Sequence, residues 1–183
     1  MRDERFEFAQ VLDGLFIGAM EALKDPPLVE KLRKAGLDLT VKLQPAYPPA
    51  TFFKYVVIAA KHRYPELDDA GAVRELGRLA VRRGMEATFI GRAVLKAAQL
   101  LGPRRALKRL GTAMKNGNNY VEGKVTELSP TSLEIQLGPL VGPKAYYEGV
   151  LEESPRMLGG KDIKLTHLRD EGEHSIWRLD WAE

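Results

Sequence analysis

The feature that most constrains this chain is a change of period near residue 117. Up to "AMKNGNNY", residues 113–120, apolar residues recur at helical spacing; from Asn119 onward they alternate. A switch from a period of 3.6 to one of 2 marks a helical portion followed by a sheet portion. A sheet with one apolar face must have that face covered.

The helical portion is punctuated by prolines and glycines. Phe16, Met20 and Leu23 fall at helical spacing behind a turn-like Asp13-Gly14. Pro26-Pro27 opens a short helix through Leu28, Leu32 and Ala35, which Gly36 stops. After the proline-rich "LQPAYPPAT", the segment "TFFKYVVIAAKH" is apolar at Phe52, Phe53, Val56, Val57 and Ala60, with Thr51 as the candidate N-cap and Pro65 beyond its end. Asp68 or Asp69 caps the next helix, through Val73, Leu76, Leu79 and Ala80. Gly84 interrupts or bends it, and Met85, Phe89, Ile90, Ala93, Val94 and Ala97 continue the period. Gly102-Pro103 breaks the chain and starts a helix from Arg104 to Lys115, which Asn116-Gly117 ends through a left-handed residue.

Beyond it, Val121, Gly123 and Val125 alternate with Glu122, Lys124 and Thr126, and Leu133, Ile135 and Leu137 repeat the pattern after a Ser129-Pro130-Thr131 turn. Pro143 to Leu151 reads as a helix ended by Pro155 and Gly159-Gly160, with Gly149 letting it lie close to the sheet or leaving room beside it. Ile163 and Leu165 begin a third strand. Glu171-Gly172 turns it into a fourth, where Trp177, Leu179 and Trp181 share a face. The expected fold is α+β: a mainly helical part, residues 1–116, packed on a ββαββ four-stranded antiparallel sheet, residues 117–183. The N-terminal helices are the expected cover, in a single domain over 1–183.

Composition excludes several chemistries. There is no cysteine, which removes disulfides, iron–sulfur clusters, thiolate zinc sites and cysteine nucleophiles. No run is long enough to span a membrane, and "MRDERFEF" lacks the apolar core of a signal peptide, so a cytoplasmic protein is expected. His62, His167 and His174 are not at metal-ligand spacing: His62 reads as a water-facing helix end, and His167 and His174 as facing each other across the last turn. No phosphate-cradling glycine loop or nucleophile elbow occurs. Asp68-Asp69 reads as helix capping and Glu152-Glu153 as an exposed helix face, so neither makes an acid–base dyad. No catalytic residue, metal or cofactor is expected.

The net charge of +3 is unevenly distributed. Residues 82–124 hold ten basic side chains against Glu86 and Glu122, so that segment carries +8 and the rest of the chain −5. A solvated helix face is the ordinary reading of such a run. The alternative is a surface that attracts phosphates, acidic headgroups or an acidic protein face. Within it, Arg104 and Arg105 sit at a helix start, where positive charge opposes the dipole. They imply either anion binding or pairing with acids such as Glu127 or Glu134, with pairing favoured.

The segments "LQPAYPPATFF", "LLGPRRALKRL", "GNNYVEGKVTEL" and "AYYEGVLEE" closely resemble a paralogous family of similar length best known from myxobacteria. The matching positions include Pro45, Tyr47, Pro48, Gly102, Pro103, Arg104, Arg105, Gly117, Asn118, Asn119, Tyr120, Tyr147, Gly149 and Leu151. That resemblance implies no activity. More remotely, the order of helices then ββαββ is similar to a superfamily of 4-vinyl-reductase-type domains, heme–nitric-oxide-binding domains and small subunits of a vesicle-tethering complex. It implies a fold that encloses an apolar small molecule: heme, a hydrocarbon or an acyl chain. The heme branch uses an axial histidine and a Tyr-x-Ser-x-Arg motif, and the tethering branch an acylated cysteine; this chain has neither that motif nor a cysteine.

Two readings follow. In the first, a non-catalytic sensory or regulatory domain holds a small apolar ligand between helices and sheet, lined by Phe52, Phe53, Val56, Phe89, Tyr120, Tyr147, Leu151 and Trp177, and signals to a protein partner. In the second, a protein-interaction module with a packed core uses Arg104, Arg105, Lys108 and Arg109 as a partner- or anion-binding surface. Nucleic-acid binding ranks third, since no helix-turn-helix or aromatic RNA-reading motif supports it. Either of the first two admits a homodimer.

Overall fold

A computed structural model describes residues 4–84, 86 and 89–182, without the side chains of 89–91. Met85 and the side chains of Phe89 and Ile90 therefore lie outside the described residues. Strand β1, Glu7–Phe8, leads into α1, Ala9–Leu12, which continues as a π-helix over Asp13–Ala19. Asp13-Gly14 is therefore inside a helix and not a turn. The wider π turn carries Leu15, Phe16 and Ala19 into the core together, and Leu23 is left exposed. A short 3-10 turn, Ala22–Lys24, precedes α2, Pro26–Ala35. The Asp25 carboxylate accepts from Leu28 N at 3.2 Å, and Gly36, at φ 108°, closes the helix while Leu37 N reaches back to Leu32 O.

Strand β2, Ala46–Tyr47, pairs antiparallel with β1. Helix α3, Pro49–Arg63, starts earlier than Thr51. The two prolines supply preset backbone angles and need no hydrogen-bond partner there, and Pro48 O accepts from Thr51 N and Phe52 N. Helix α4, Asp69–Gly84, is capped by Asp68, whose carboxylate accepts from Gly71 N at 2.7 Å. Helix α5, Phe89–Leu107, is broken at Gly102 (φ 72°, ψ 166°), and its second piece stops before Lys108. A separate turn of helix, α6, Leu110–Met114, follows, so the expected continuous helix from 104 to 115 is two pieces.

Gly117 is not left-handed. It is needed for space instead: a Cβ there would stand 3.0 Å from a Val11 methyl, and its carbonyl accepts from Phe8 N at 2.9 Å. Strands β3, Glu122–Ser129, β4, Ser132–Gly138, β5, Lys161–Glu171, and β6, His174–Ala182, form an antiparallel sheet in the order β3-β4-β6-β5. Ile135 stands opposite Val125 on one side and Trp177 on the other, and Leu133 opposite Leu179, so the two central strands carry the buried face. Helix α7, Lys144–Met157, runs through Pro155, two residues before its end, and the chain leaves it at Gly159, φ 94°.

Helices cover the sheet as expected, with α7 sharing the cover. The sheet's cover is chiefly α7, lying on β5 and β6, and α6, lying on β3. The N-terminal helix α4 packs on α7, with α3 beyond it. Gly149 accordingly faces α4 and not the sheet: a Cβ there would fall 2.0 Å from Arg74 O. Gly77 makes the reciprocal approach, with Tyr146 O at 2.3 Å from a would-be Cβ. One apolar cluster runs through these layers from Leu12 to Trp181.

Candidate functional site

Two cavities flank α7. The larger, about 360 Å³, lies between α5, α6 and the end of α7. Val94, Ala97, Ala98 and Leu101 form one wall, Ala106, Leu107, Leu110 and Ala113 the other, and Leu158 closes one end. The space exists because four of these positions are alanine. Its polar groups are Ser154, whose hydroxyl donates to Val150 O at 2.7 Å, and Arg109. Leu100, two residues before the break at Gly102, is 90% exposed.

The smaller cavity, about 140 Å³, lies on the other flank. Phe52 and Phe53 of α3, Tyr146, Tyr147 and Val150 of α7, and Met114 and Val11 form its apolar wall. Tyr146 packs edge-on against Phe53 and Tyr147, with centroids 5.7 Å and 6.0 Å apart, and Phe53 and Tyr147 are tilted at 49° with centroids 5.8 Å apart. Glu7 enters this wall from β1 and is only 3% exposed. It is placed there by strand pairing with Tyr47 and by a bridge to Asn118. The Tyr120 hydroxyl donates to Glu7 Oε1, and the Asn118 side-chain Oδ1 accepts from Val121 N at 2.8 Å and Tyr120 N at 3.2 Å. Burial pushes the Glu7 carboxyl up to about 7, against the opposing pull of the Tyr120 hydrogen bond. Burial also raises the Tyr120, Tyr146 and Tyr147 phenols, so all three stay protonated at neutral pH. The Tyr147 hydroxyl is buried and makes no well-formed hydrogen bond among the described residues, its polar neighbour being the Tyr120 hydroxyl, which pulls against the effect of burial.

Of the residues expected to line a ligand pocket, Phe52, Phe53 and Tyr147 border this small cavity, and Tyr120 is bonded to its carboxyl. Val56, Leu151 and Trp177 are fully packed and border neither space. Phe89 is outside the described side chains. Sequence reasoning missed Glu7, an acid in a charged leader, and it missed the alanines of α5 and α6. Ala97, Ala98, Ala106 and Ala113, small residues interspersed among leucines, were the available signal.

The basic segment is partly neutralised. Arg104 and Lys108 both pair with Glu127, which their hydrogen bonds hold below its ordinary range. Arg109 faces the larger cleft, and Arg105 makes no ion pair among the described residues. Glu152 and Glu153 are buried, not exposed. Glu152 takes Arg74 at 2.5 Å and Arg78 at 2.6 Å, and Glu153 takes Arg82 at 3.5 Å and Arg156 at 3.3 Å, along the α4–α7 seam. The histidines are occupied locally. His62 is half-buried, not water-facing: its Nε2–H donates to Asp25 Oδ2 at 2.9 Å, and its Nδ1 accepts from Lys31 Nζ at 3.1 Å. His167 stands opposite Trp177 and bonds to Asp170 at 2.9 Å, while His174 pairs with Glu171, so the two do not face each other. Among the described residues no group of three or more His, Cys, Asp or Glu could hold a metal.

Several solved structures share this fold. An H-NOX mutant from T. tengcongensis is 12% identical, with a TM-score of 0.62 over 97% of this chain and 98% of its own. A structure described as an oxygen-binding H-NOX domain related to soluble guanylate cyclases is 12% identical, with a TM-score of 0.63 over 95% of each chain. One described as modulating heme redox potential through porphyrin distortion is 13% identical, with a TM-score of 0.66 over 95% of each. At such identity the likeness establishes the fold alone. A heme does not suit the residues present. An axial donor is needed, yet none of the three histidines borders either cavity, and the larger cleft offers only Arg109 and Ser154 as polar groups. The smaller cavity, though it holds tyrosines, is far too small for a porphyrin. No curated protein matches the chain. Residues 5–182 match the sequence model of the DUF2378 family, proteins of unknown function, and the chain belongs to that family.

Proposed function

We propose that this protein is a non-catalytic, cytoplasmic sensory or regulatory domain that takes a small apolar ligand into the cleft between α5, α6 and α7 and signals to a protein partner. The observation that carries this reading is the cleft itself: about 360 Å³, walled by alanine, valine and leucine, on a fold shared with H-NOX domains. Its volume falls within the usual range for small-molecule sites of roughly 300–1,000 Å³. The wider kinship with 4-vinyl-reductase-type domains belongs to the same proposal. Among the described residues no helix is long and apolar enough to cross a membrane. A ligand here shifts the α5–α6 segment only through its differential affinity for two arrangements of that segment. Native mass spectrometry of the purified protein, before and after denaturation, tests the reading together with titration by an apolar naphthalene dye. Wild type retains a small molecule or binds the dye with a defined stoichiometry, and Ala98→Trp, which fills the cleft, does neither. Equal dye binding by both proteins rejects the cleft as the site.

A second reading has its own observation. Leu100, Val94 and Leu101 are exposed on α5 beside the charged Arg92, Lys96 and Arg105, a mixture suited to a protein partner. In that case Leu100→Glu together with Arg105→Glu abolishes partner capture without moving the melting temperature. Survival of capture rejects it.

A further inference from the structure

The cavity beside Glu7 is separate from the apolar cleft and has a different chemistry. We propose that it is a binding site for a small organic cation, an alkylammonium of about four to six non-hydrogen atoms, held between the Glu7 carboxylate, the Tyr147 hydroxyl and the surrounding aromatic rings. Three observations converge. The Glu7 side chain is buried with no cationic partner among the described residues, and only Oε1 is engaged, by Tyr120. The Tyr147 hydroxyl borders the same space and makes no well-formed hydrogen bond among the described residues. The walls are the rings of Phe52, Phe53, Tyr146 and Tyr147, whose faces attract a desolvated cation.

The Glu7 carboxylate keeps one oxygen outside the Tyr120 bond, and the Tyr147 hydroxyl keeps an acceptor position open. An ammonium group supplies up to three donors and the missing positive charge. The volume of about 140 Å³ is close to that of an engineered cavity of about 150 Å³ that accepts benzene. Water alone satisfies the polar end but leaves the ring faces without a partner, whereas an alkylammonium meets both.

Glu7 makes the site pH-dependent. The groups facing its carboxyl are Tyr120 and Asn118 from the β3 leader, and Tyr146 and Tyr147 from α7. The tyrosines remain protonated through neutral pH, and Arg5, two residues upstream, is committed to Glu173 in two bonds of 2.9 Å. With its carboxyl pushed up to about 7, Glu7 is mostly neutral at pH 6 and mostly ionised at pH 8. Capture of a cation requires the ionised form, so binding at pH 6 expels close to one proton and at pH 8 almost none.

Isothermal titration calorimetry with n-butylammonium tests this, run at pH 6 and pH 8 in two buffers of different ionisation enthalpy. The expected result is saturable one-to-one binding, about tenfold tighter at pH 8, with release of about one proton at pH 6. Glu7→Gln loses at least tenfold in affinity and all of the pH dependence; Tyr147→Phe loses several-fold. Absence of saturable heat at pH 8, binding without proton release at pH 6, or equal binding of neutral n-butanol each overturns the proposal. The proton count and the butanol control use wild-type protein, so a failure of either variant to fold does not protect the idea. Failure here leaves the α5–α6–α7 cleft untouched, since Ala98→Trp reports on that space alone.

Discussion

Helix α7 meets helices on two flanks, and it treats them in opposite ways. Toward α4 it presents Gly149, and α4 answers with Gly77, so the two backbones meet without intervening side chains and Glu152 is gripped by Arg74 and Arg78. Toward α5 and α6 it presents Ser154 and Leu158, and the answer is a row of alanines that do not fill the gap. Close-packed interiors resist small changes in volume, so the first seam fixes position while the second leaves room to respond. In the proposed function the first is the rigid reference surface and the second the yielding one, both on the same element.

The contrast can be broken most severely at Gly149. Gly149→Val drives a side chain into the α4 backbone and costs about 3 kcal/mol or more in chemical denaturation, or prevents folding. An unchanged midpoint means the seam is looser than described. The Glu7 corner comes next. Its folded carboxyl titrates near 7 and its unfolded one near 4.5, so between these values the native state holds a proton that the unfolded state has released. Stability therefore falls as pH rises from about 4.5 to 7, by about 3 kcal/mol in all, and levels off above. Glu7→Gln, which can keep the bond from Tyr120, flattens that slope in urea melts across pH and is the more stable protein at pH 8.

Removing charge from the rigid seam has a smaller effect. Glu152→Ala leaves Arg74 and Arg78 facing each other half-buried and costs about 2–3 kcal/mol by urea denaturation. On the yielding side the sign reverses. Ala98→Leu fills part of the cleft and raises stability by about 0.5–1 kcal/mol, while reducing dye uptake. A destabilised Ala98→Leu would mean the cleft is already closed in solution.

Much of the architecture was legible locally. The period change, the Gly36 stop, the Asp68 cap and the alternation in β4 and β6 all appear in the structure, because each is decided by residues within a few positions of one another. What escaped depends on distant partners. Glu152 and Glu153 look like a solvated face until Arg74, Arg78 and Arg82 are placed opposite them; the spacing of those three, one helical turn apart along α4, was the clue. Glu7 looks like one acid in a charged leader, and its burial depends on Tyr47 and Asn118, dozens of residues downstream. The aromatic lining inferred from sequence divided in two: Phe52, Phe53 and Tyr147 border a space, whereas Val56, Leu151 and Trp177 are ordinary core, a distinction that residue type does not encode.

The attachment of the first residues to the asparagine run also orders the events of folding. Phe6 N bonds to the Asn119 side chain at 2.7 Å, Asn119 Nδ2 to Glu4 O at 2.9 Å, and Phe8 N to Gly117 O at 2.9 Å. This stretch can pair with β2 some forty residues on, but the asparagine run that completes its clasp is made more than a hundred residues after it. Closing so large a loop costs more chain entropy than forming the local helices between its ends. Until it closes Glu7 is an ordinary hydrated acid, and the aromatic chamber beside it stands open at one wall.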